Sequence, residues 1–128
     1  MIFARIVLVL AALMFALFGA WLLVIPEQLG EWLDVTAASP VGLTEIRAFY
    51  GGYEIGLALF LLLGLRRRFT AASCYCLAFT LTCVALSRIY GFFVDGTASA
   101  ATIGILATEA GFAVLGWLAA YRVRNLEG

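Results

Sequence analysis

The chain has 128 residues, of which 65% are hydrophobic and 12% are charged, and its mean hydropathy is +1.07. This composition leaves too much apolar surface for one small soluble core, so it indicates an integral membrane protein. Because the chain has no histidine and balances eight basic with eight acidic residues, we expect no metal, no cofactor and no nucleic-acid partner.

Four apolar runs are each long enough to cross a bilayer as a helix. They cover about residues 6–25, 41–65, 69–93 and 97–121. Because backbone polar groups in lipid must be satisfied within helices, and the connections are short, neighbouring spans should pack antiparallel. The prediction is an all-α, integral membrane, up-down four-helix bundle that forms a single transmembrane domain over residues 1–128.

Between the first two spans, the segment from Pro26 to Asp34 has leucines and a tryptophan on one side and acidic residues on the other. This pattern predicts a short interfacial helix after the first span, with proline in its first turn. Ser39 and Pro40 then predict a cap and a first-turn proline for the second span.

Five ionisable residues fall inside the predicted spans: Glu45, Arg47, Glu54, Arg88 and Glu109. Counted from the arginines at the predicted inner boundary, at about 1.5 Å per residue, Glu54 lies roughly 18 Å and Glu109 roughly 20 Å deep. The same count puts Arg47 and Arg88 at roughly 28 and 30 Å, from where their long side chains can reach down. Since charges at such depth usually face the protein interior or water, we expect the two arginines Arg47 and Arg88 to converge with Glu54 and Glu109 on a polar pocket.

Angular spacing on the second span divides its polar residues between two sides. Arg47 and Glu54 are seven residues apart and share one face. Glu45 lies nine residues before Glu54, so we expect it on roughly the opposite side, as an interface residue. Below Glu45, the four-residue spacing of Gly52 and Gly56 predicts a flank that packs closely on another helix.

The charged residues outside the membrane are divided between the two ends of the predicted bundle. In an up-down topology the remaining arginines all flank one side, whereas the opposite loops carry only acids: Glu27, Glu31, Asp34 and Asp95. The positive-inside rule therefore predicts a multi-pass protein of the cell inner membrane whose N- and C-termini are cytoplasmic.

The second span reads Glu45-Ile-Arg47-Ala-Phe-Tyr50-Gly51-Gly52-Tyr-Glu54-Ile-Gly56, and Ser87-Arg88, Asp95-Gly96 and Glu109 follow later. This pattern resembles the bacterial membrane family known as domain of unknown function number 4345, which is similar to the DoxX-like group of four-helix proteins. The resemblance implies the same architecture and, by analogy, a link to respiratory or redox membranes. It marks Arg47, Tyr50, Arg88 and Glu109, together with a structural motif of Glu45, Gly51, Gly52, Gly56, Asp95 and Gly96.

Our first functional hypothesis is a protein that binds or carries a lipophilic molecule with a polar head. A quinone, a sterol-like compound or a lipid would place its head among Arg47, Arg88, Glu54 and Glu109, where Tyr50 and Tyr90 could hydrogen-bond it. Apolar walls with a few convergent polar groups are what such a site requires. This function needs no catalysis, so we do not expect an enzyme.

Two alternatives come from other classes. In the first, the chain is an accessory or assembly subunit of a larger membrane complex, and its charges form an ion-pair network that only fixes helix register. In the second, Glu54 and Glu109 share a proton, as a lipid isomerase or a proton-coupled transporter requires. A stripe of small residues in the first span (Ala12, Ala16 and Gly19) permits a homo-oligomer, and packing within the chain explains it equally well.

Overall fold

The computed structural model describes residues 1–127, which form helices joined by short connections. The α-helices are α1 (Ile2–Val24), α2 (Gln28–Leu33), α3 (Pro40–Ile46), α4 (Tyr53–Leu63), α5 (Arg67–Asp95) and α6 (Ala100–Glu127). A π-helical turn, Arg47–Gly52, joins α3 to α4, so these three segments form one continuous second span.

Four helices are long and apolar enough to cross a membrane: Ile2–Val24, Pro40–Leu63, Arg67–Asp95 and Ala100–Leu126. The predicted all-α fold with four spans is therefore confirmed. The bounds differ from the apolar runs by several residues, because helical hydrogen bonding does not stop where apolar sequence stops. The last helix, for example, begins after Ser99, where Ser99 and Thr102 each accept a hydrogen bond from the other's backbone N–H at 3.2 and 2.8 Å.

The four spans pack as a bundle in which each is antiparallel to its sequence neighbours. Going around the bundle, α1 contacts α4, α4 contacts α5, α5 contacts α6 and α6 returns to α1. Met1 and Arg122 lie together at one end, which we call the terminal end, where the Arg122 guanidinium lies 4.4 Å from the centre of the Phe3 ring. The opposite end, with α2 and residues 96–99, is the far end.

The half of the bundle at the terminal end is closely packed. A Cβ atom added to Gly64 would lie 2.6 Å from the Cβ of Ser73, so α4 and α5 meet there without room for a side chain. Next to this contact, the hydroxyls of Thr70 and Ser73 donate to the backbone oxygens of Gly64 and Phe60 at 2.8 and 3.1 Å. The surrounding core is fully buried and includes Leu8, Leu61, Leu77 and Val123.

The short helix α2 lies against the far end of α1. Leu29 is buried in a small cluster with Leu22 and Ile46, and Trp32 meets Trp21 edge to face with ring centroids 4.3 Å apart. Pro26 precedes α2 and does not lie in its first turn as predicted, because the backbone makes a separate turn there before Gln28.

The start of the second span has the predicted chemistry. Ser39 Oγ accepts a hydrogen bond from the Gly42 N–H at 3.3 Å, and Pro40 is the first residue of α3. The third span ends in a glycine cap. Helix α5 stops after the exposed Asp95, at Gly96, whose φ of +64° favours glycine.

Candidate functional site

The half of the bundle at the far end encloses a cavity of about 780 Å³. It forms because α4 contacts both α1 and α5, whereas the π-helical turn before it has its main contact outside its own span with α1. The second span and α5 are therefore close at the terminal end and separate towards the far end. Residues of α1, α2, the second span, α5 and α6 line the cavity, and most of them are apolar or aromatic.

An ion pair between α5 and α6 forms part of the cavity wall. Arg88 donates from Nε to Glu109 Oε2 at 2.9 Å and from Nη2 to Oε1 at 2.6 Å. Glu109 is only 9% exposed, so its charge is removed from bulk solvent and compensated by one arginine in a two-bond geometry. This pair is the convergence that we predicted for Arg88 and Glu109.

Glu54 lines the same cavity from the second span. Its side chain is half-buried, and within the described part of the chain no hydrogen bond or ion pair involves its carboxylate. Its Cβ is 3.2 Å from the position that a Cβ on Gly19 would take, so the base of the side chain is held against α1. Glu54 thus brings a carboxylate without a protein partner to the cavity.

Arg47 lies elsewhere, which differs from the predicted convergence of four charges. Its guanidinium donates through Nη1 to the backbone oxygens of Leu23 and, at 3.2 Å, Val24. These residues end α1, where carbonyl groups have no partner within the helix and the helix dipole favours a cation. Arg47 therefore caps α1 and is not part of the cavity wall.

The π-helical turn explains a second difference. A π turn holds one more residue than the α-helical ladder, so it shifts everything beyond it by about 100°. The angle expected between Glu45 and Glu54 falls from about 180° to about 80°. Accordingly, Glu45 lines the same cavity as Glu54, and the prediction that it lies on the opposite side is wrong.

The same turn decides which glycine of the second span packs closely. Gly51 is buried, and a Cβ there would lie 3.0 Å from Leu23 Cα, while a Cβ on Gly19 would lie 2.8 Å from the Gly51 oxygen. Gly52 and Gly56 are exposed and have open space or one distant atom around them. The predicted packing of the Gly52 and Gly56 flank is therefore wrong, because the contact with α1 uses Gly51.

The two tyrosines predicted near the site have different positions. Tyr50 lines the cavity from the π-helical turn and is half-buried. Tyr90 is 69% exposed and lies outside the cavity wall, since it is two residues beyond Arg88 and falls on another side of α5. The structure thus brings together Tyr50, Glu54, Arg88 and Glu109, and adds Glu45.

Comparison with known proteins identifies the family of this chain. Residues 3–120 match the family described as a domain of unknown function (DUF4345). The chain belongs to this family. No curated protein and no solved structure is detectably similar to it. The resemblance to domain of unknown function number 4345 is confirmed, and what this DUF4345 chain does has to be inferred from its own geometry.

Sequence reasoning missed most of the aromatic and apolar residues of the cavity wall. Trp32 was expected only on the apolar side of the interfacial helix, and Phe18, Leu81 and Val84 had no distinguishing feature in the sequence. In a membrane helix, apolar residues face lipid, protein and cavities alike, so hydropathy does not separate these environments. The usable signal was the intramembrane charge, which located the cavity but not its walls.

Proposed function

We propose that this chain binds or carries a lipophilic molecule with a polar head in the far-end cavity. The observation that carries the proposal is the cavity itself: about 780 Å³ between membrane helices, with an Arg88–Glu109 pair and a partnerless Glu54 on a mostly apolar wall. Small-molecule sites typically measure roughly 300–1,000 Å³ and combine apolar walls with a few polar groups. Charged residues inside membrane spans are a further pointer to function.

The arrangement gives each part of such a molecule a place. The polar head would lie near Glu54 and the Arg88–Glu109 pair, where the Tyr50 hydroxyl is available for a hydrogen bond. The apolar part would lie against Leu81, Val84 and the aromatic residues of α1. Because the second span and α5 separate towards the far end, the molecule could enter sideways from the bilayer. Quinones, sterol-like compounds and lipids all have this form.

We also propose that the terminal end is cytoplasmic and that the membrane is the cell inner membrane. The exposed arginines at and near the terminal end support this orientation: Arg5, Arg66, Arg67, Arg68, Arg122 and Arg124. Fluorescence of a green fluorescent protein fused to the C-terminus would support it. A periplasmic reporter that is active at the same position, with the fluorescent fusion dark, would contradict it.

Native mass spectrometry of the protein released from nanodiscs tests the binding proposal. We expect a discrete small-molecule adduct on the wild type. The Val84→Trp variant fills the cavity and should lose the adduct, because Val84 lines the wall. The matched control is Leu86→Trp, on the same helix, which is 61% exposed and outside the cavity wall, and it should keep the adduct.

Two results would contradict the proposal. The first is a bare wild-type protein from membranes of the native host. The second is an adduct that survives Val84→Trp as well as it survives Leu86→Trp, which would place the molecule on the lipid-facing surface. Circular dichroism of each variant has to show unchanged helicity.

A second candidate function is a proton-coupled transporter or a lipid isomerase. The observation that favours it is that Glu54 and Glu109 line one cavity. It ranks second because Glu109 is held by Arg88 through two hydrogen bonds, which leaves Glu54 without an equivalent partner carboxyl. Proton flux into proteoliposomes that depends on both Glu54 and Glu109 would favour this second function over the first.

An accessory role in a larger complex stays a prediction that a pull-down from native membranes can test.

A further inference from the structure

The cavity wall carries more negative than positive charge. Its charged residues are three glutamates, Glu45, Glu54 and Glu109, and one arginine, Arg88. Arg88 and Glu109 compensate each other through their two hydrogen bonds. The remaining charge of the wall is that of Glu54, which is half-buried, and of Glu45, which is exposed near the far end.

The protein supplies no other cation to this wall within the described residues. Arg47 is the nearest candidate on the second span, but its guanidinium is engaged by the carbonyl oxygens that end α1. The other six arginines lie at or near the terminal end, away from the cavity wall. No arginine of the described residues therefore compensates the Glu54 carboxylate, and the positive head of a bound molecule would be its ion-pair partner.

Aromatic rings line the same cavity as this negative charge. Trp21 and Trp32 meet edge to face on the wall, and Tyr50 lies on the same turn of chain that leads to Glu54. The faces of aromatic rings attract cations, and clusters of them bind quaternary ammonium groups. Acidic and aromatic residues thus favour the same kind of head group.

We propose that the cavity selects a lipophilic cation, in which an ammonium or similar positive head is attached to an apolar body. This inference rests on the proposed function and deepens it by naming the charge of the head. The positive head pairs with Glu54 and lies against the aromatic rings, and the apolar body fills the cavity towards Leu81 and Val84.

An anionic head fits the same wall poorly. It would meet the Glu54 carboxylate in a medium where charges interact more strongly than in water. To bind Arg88, it would have to displace Glu109 from two hydrogen bonds and leave that buried carboxylate without a partner. Charge complementarity therefore separates cations from anions of equal size.

The test compares two probes of the same shape and opposite charge. Tetraphenylphosphonium and tetraphenylborate are added in turn to the full-length protein in maltoside micelles, and binding is measured by equilibrium dialysis against empty micelles. We expect tetraphenylphosphonium to bind at least tenfold more tightly. Equal affinity, or tighter binding of tetraphenylborate, would overturn the inference.

Variants locate the source of the preference. Glu54→Gln removes the charge at nearly constant shape and should weaken tetraphenylphosphonium binding at least tenfold, whereas Glu54→Asp should retain the preference for the cation. The control is Glu31→Gln, which removes an exposed charge of α2 outside the cavity wall and should change nothing. An unchanged affinity in folded Glu54→Gln would overturn the role of this residue.

The outcome separates this inference from the proposed function. If the native adduct is lost in Val84→Trp but neither probe binds, the cavity holds a ligand and the cationic head is wrong. If both probes fail and no adduct exists, both proposals fail.

An ammonium group can come from a phospholipid head or from a free amine, so displacement of the bound cation by phosphatidylethanolamine indicates the first source. Displacement by dodecyltrimethylammonium alone indicates the second.

Discussion

The two halves of the bundle differ in whether their polar side chains have hydrogen-bond partners within the protein. At the terminal end, helices meet through glycine and serine, and the hydroxyls of Thr70 and Ser73 are satisfied by backbone oxygens. At the far end, helices separate around a cavity, and the carboxylate of Glu54 has no protein partner. In lipid, where apolar side chains gain little by leaving the bilayer, close packing of small residues supplies helix association.

This difference indicates that the two halves of the bundle have different roles. The closely packed half can hold the four spans together, so that the other half can keep charges and a cavity that do not add to stability. The helix pair α5 and α6 crosses both halves: a Cβ on Gly116 would lie 3.0 Å from the backbone nitrogen of Ala78, and further along Arg88 pairs with Glu109. Substitutions in each half test whether the two halves differ in this way.

The largest effect is expected when the ion pair loses one partner. Arg88→Leu leaves the buried Glu109 carboxylate without compensation, and breaking a buried pair in this way costs about 3–5 kcal/mol. The free energy of unfolding in mixed micelles, measured by denaturant titration with circular dichroism, should fall by that order.

The matched control for this prediction removes both charges. Arg88→Leu combined with Glu109→Leu should recover most of the lost stability, since replacement of a whole buried pair by apolar residues is often neutral. The double variant should nevertheless alter ligand binding, because it changes the cavity wall. If the single variant is as stable as the wild type, the pair does not hold α5 and α6 together.

A smaller effect is expected in the closely packed half. Gly64→Ala places a methyl group 2.6 Å from Ser73 Cβ, so the helices have to move apart, and overpacking of this kind costs about 1–3 kcal/mol. Gly56→Ala is the control, because no atom lies within 4 Å of its added Cβ. Equal melting temperatures of the two variants would show that the terminal half is not the tighter one.

Much of the fold was predictable because a bilayer imposes simple requirements. Span number and helical structure follow from run length, and the start of α3 was correct because Ser39 and Pro40 carry local capping chemistry. The charges inside the spans indicated a polar site that includes Arg88 and Glu109, whereas their pairing with each other is seen only in the structure. Each of these predictions depends on the residue types present and on their order along the chain, which a sequence shows directly.

The errors on the second span have one physical origin. The angular positions of Glu45, Gly52 and Gly56 were derived from a regular helix, whereas the chain inserts a π-helical turn between Arg47 and Gly52. No residue type in that turn indicates a π helix from the sequence. The turn packs against α1, most closely at Gly51. The phase of a helix is thus set by its neighbours, which a single sequence does not display.

Arg47 gives the smallest expected effect and the sharpest test of the far half. Regular helical spacing places it with Glu54 in the site, whereas the structure places it on the last carbonyl groups of α1. Arg47→Met should therefore lower the free energy of unfolding by about 1 kcal/mol, the usual worth of such a cap, and leave tetraphenylphosphonium affinity unchanged. Arg47→Lys, which keeps a cation at the helix end, should lose less stability. If folded Arg47→Met instead loses binding as Glu54→Gln does, Arg47 belongs to the cavity, and the negative balance of charge that selects a cation no longer holds.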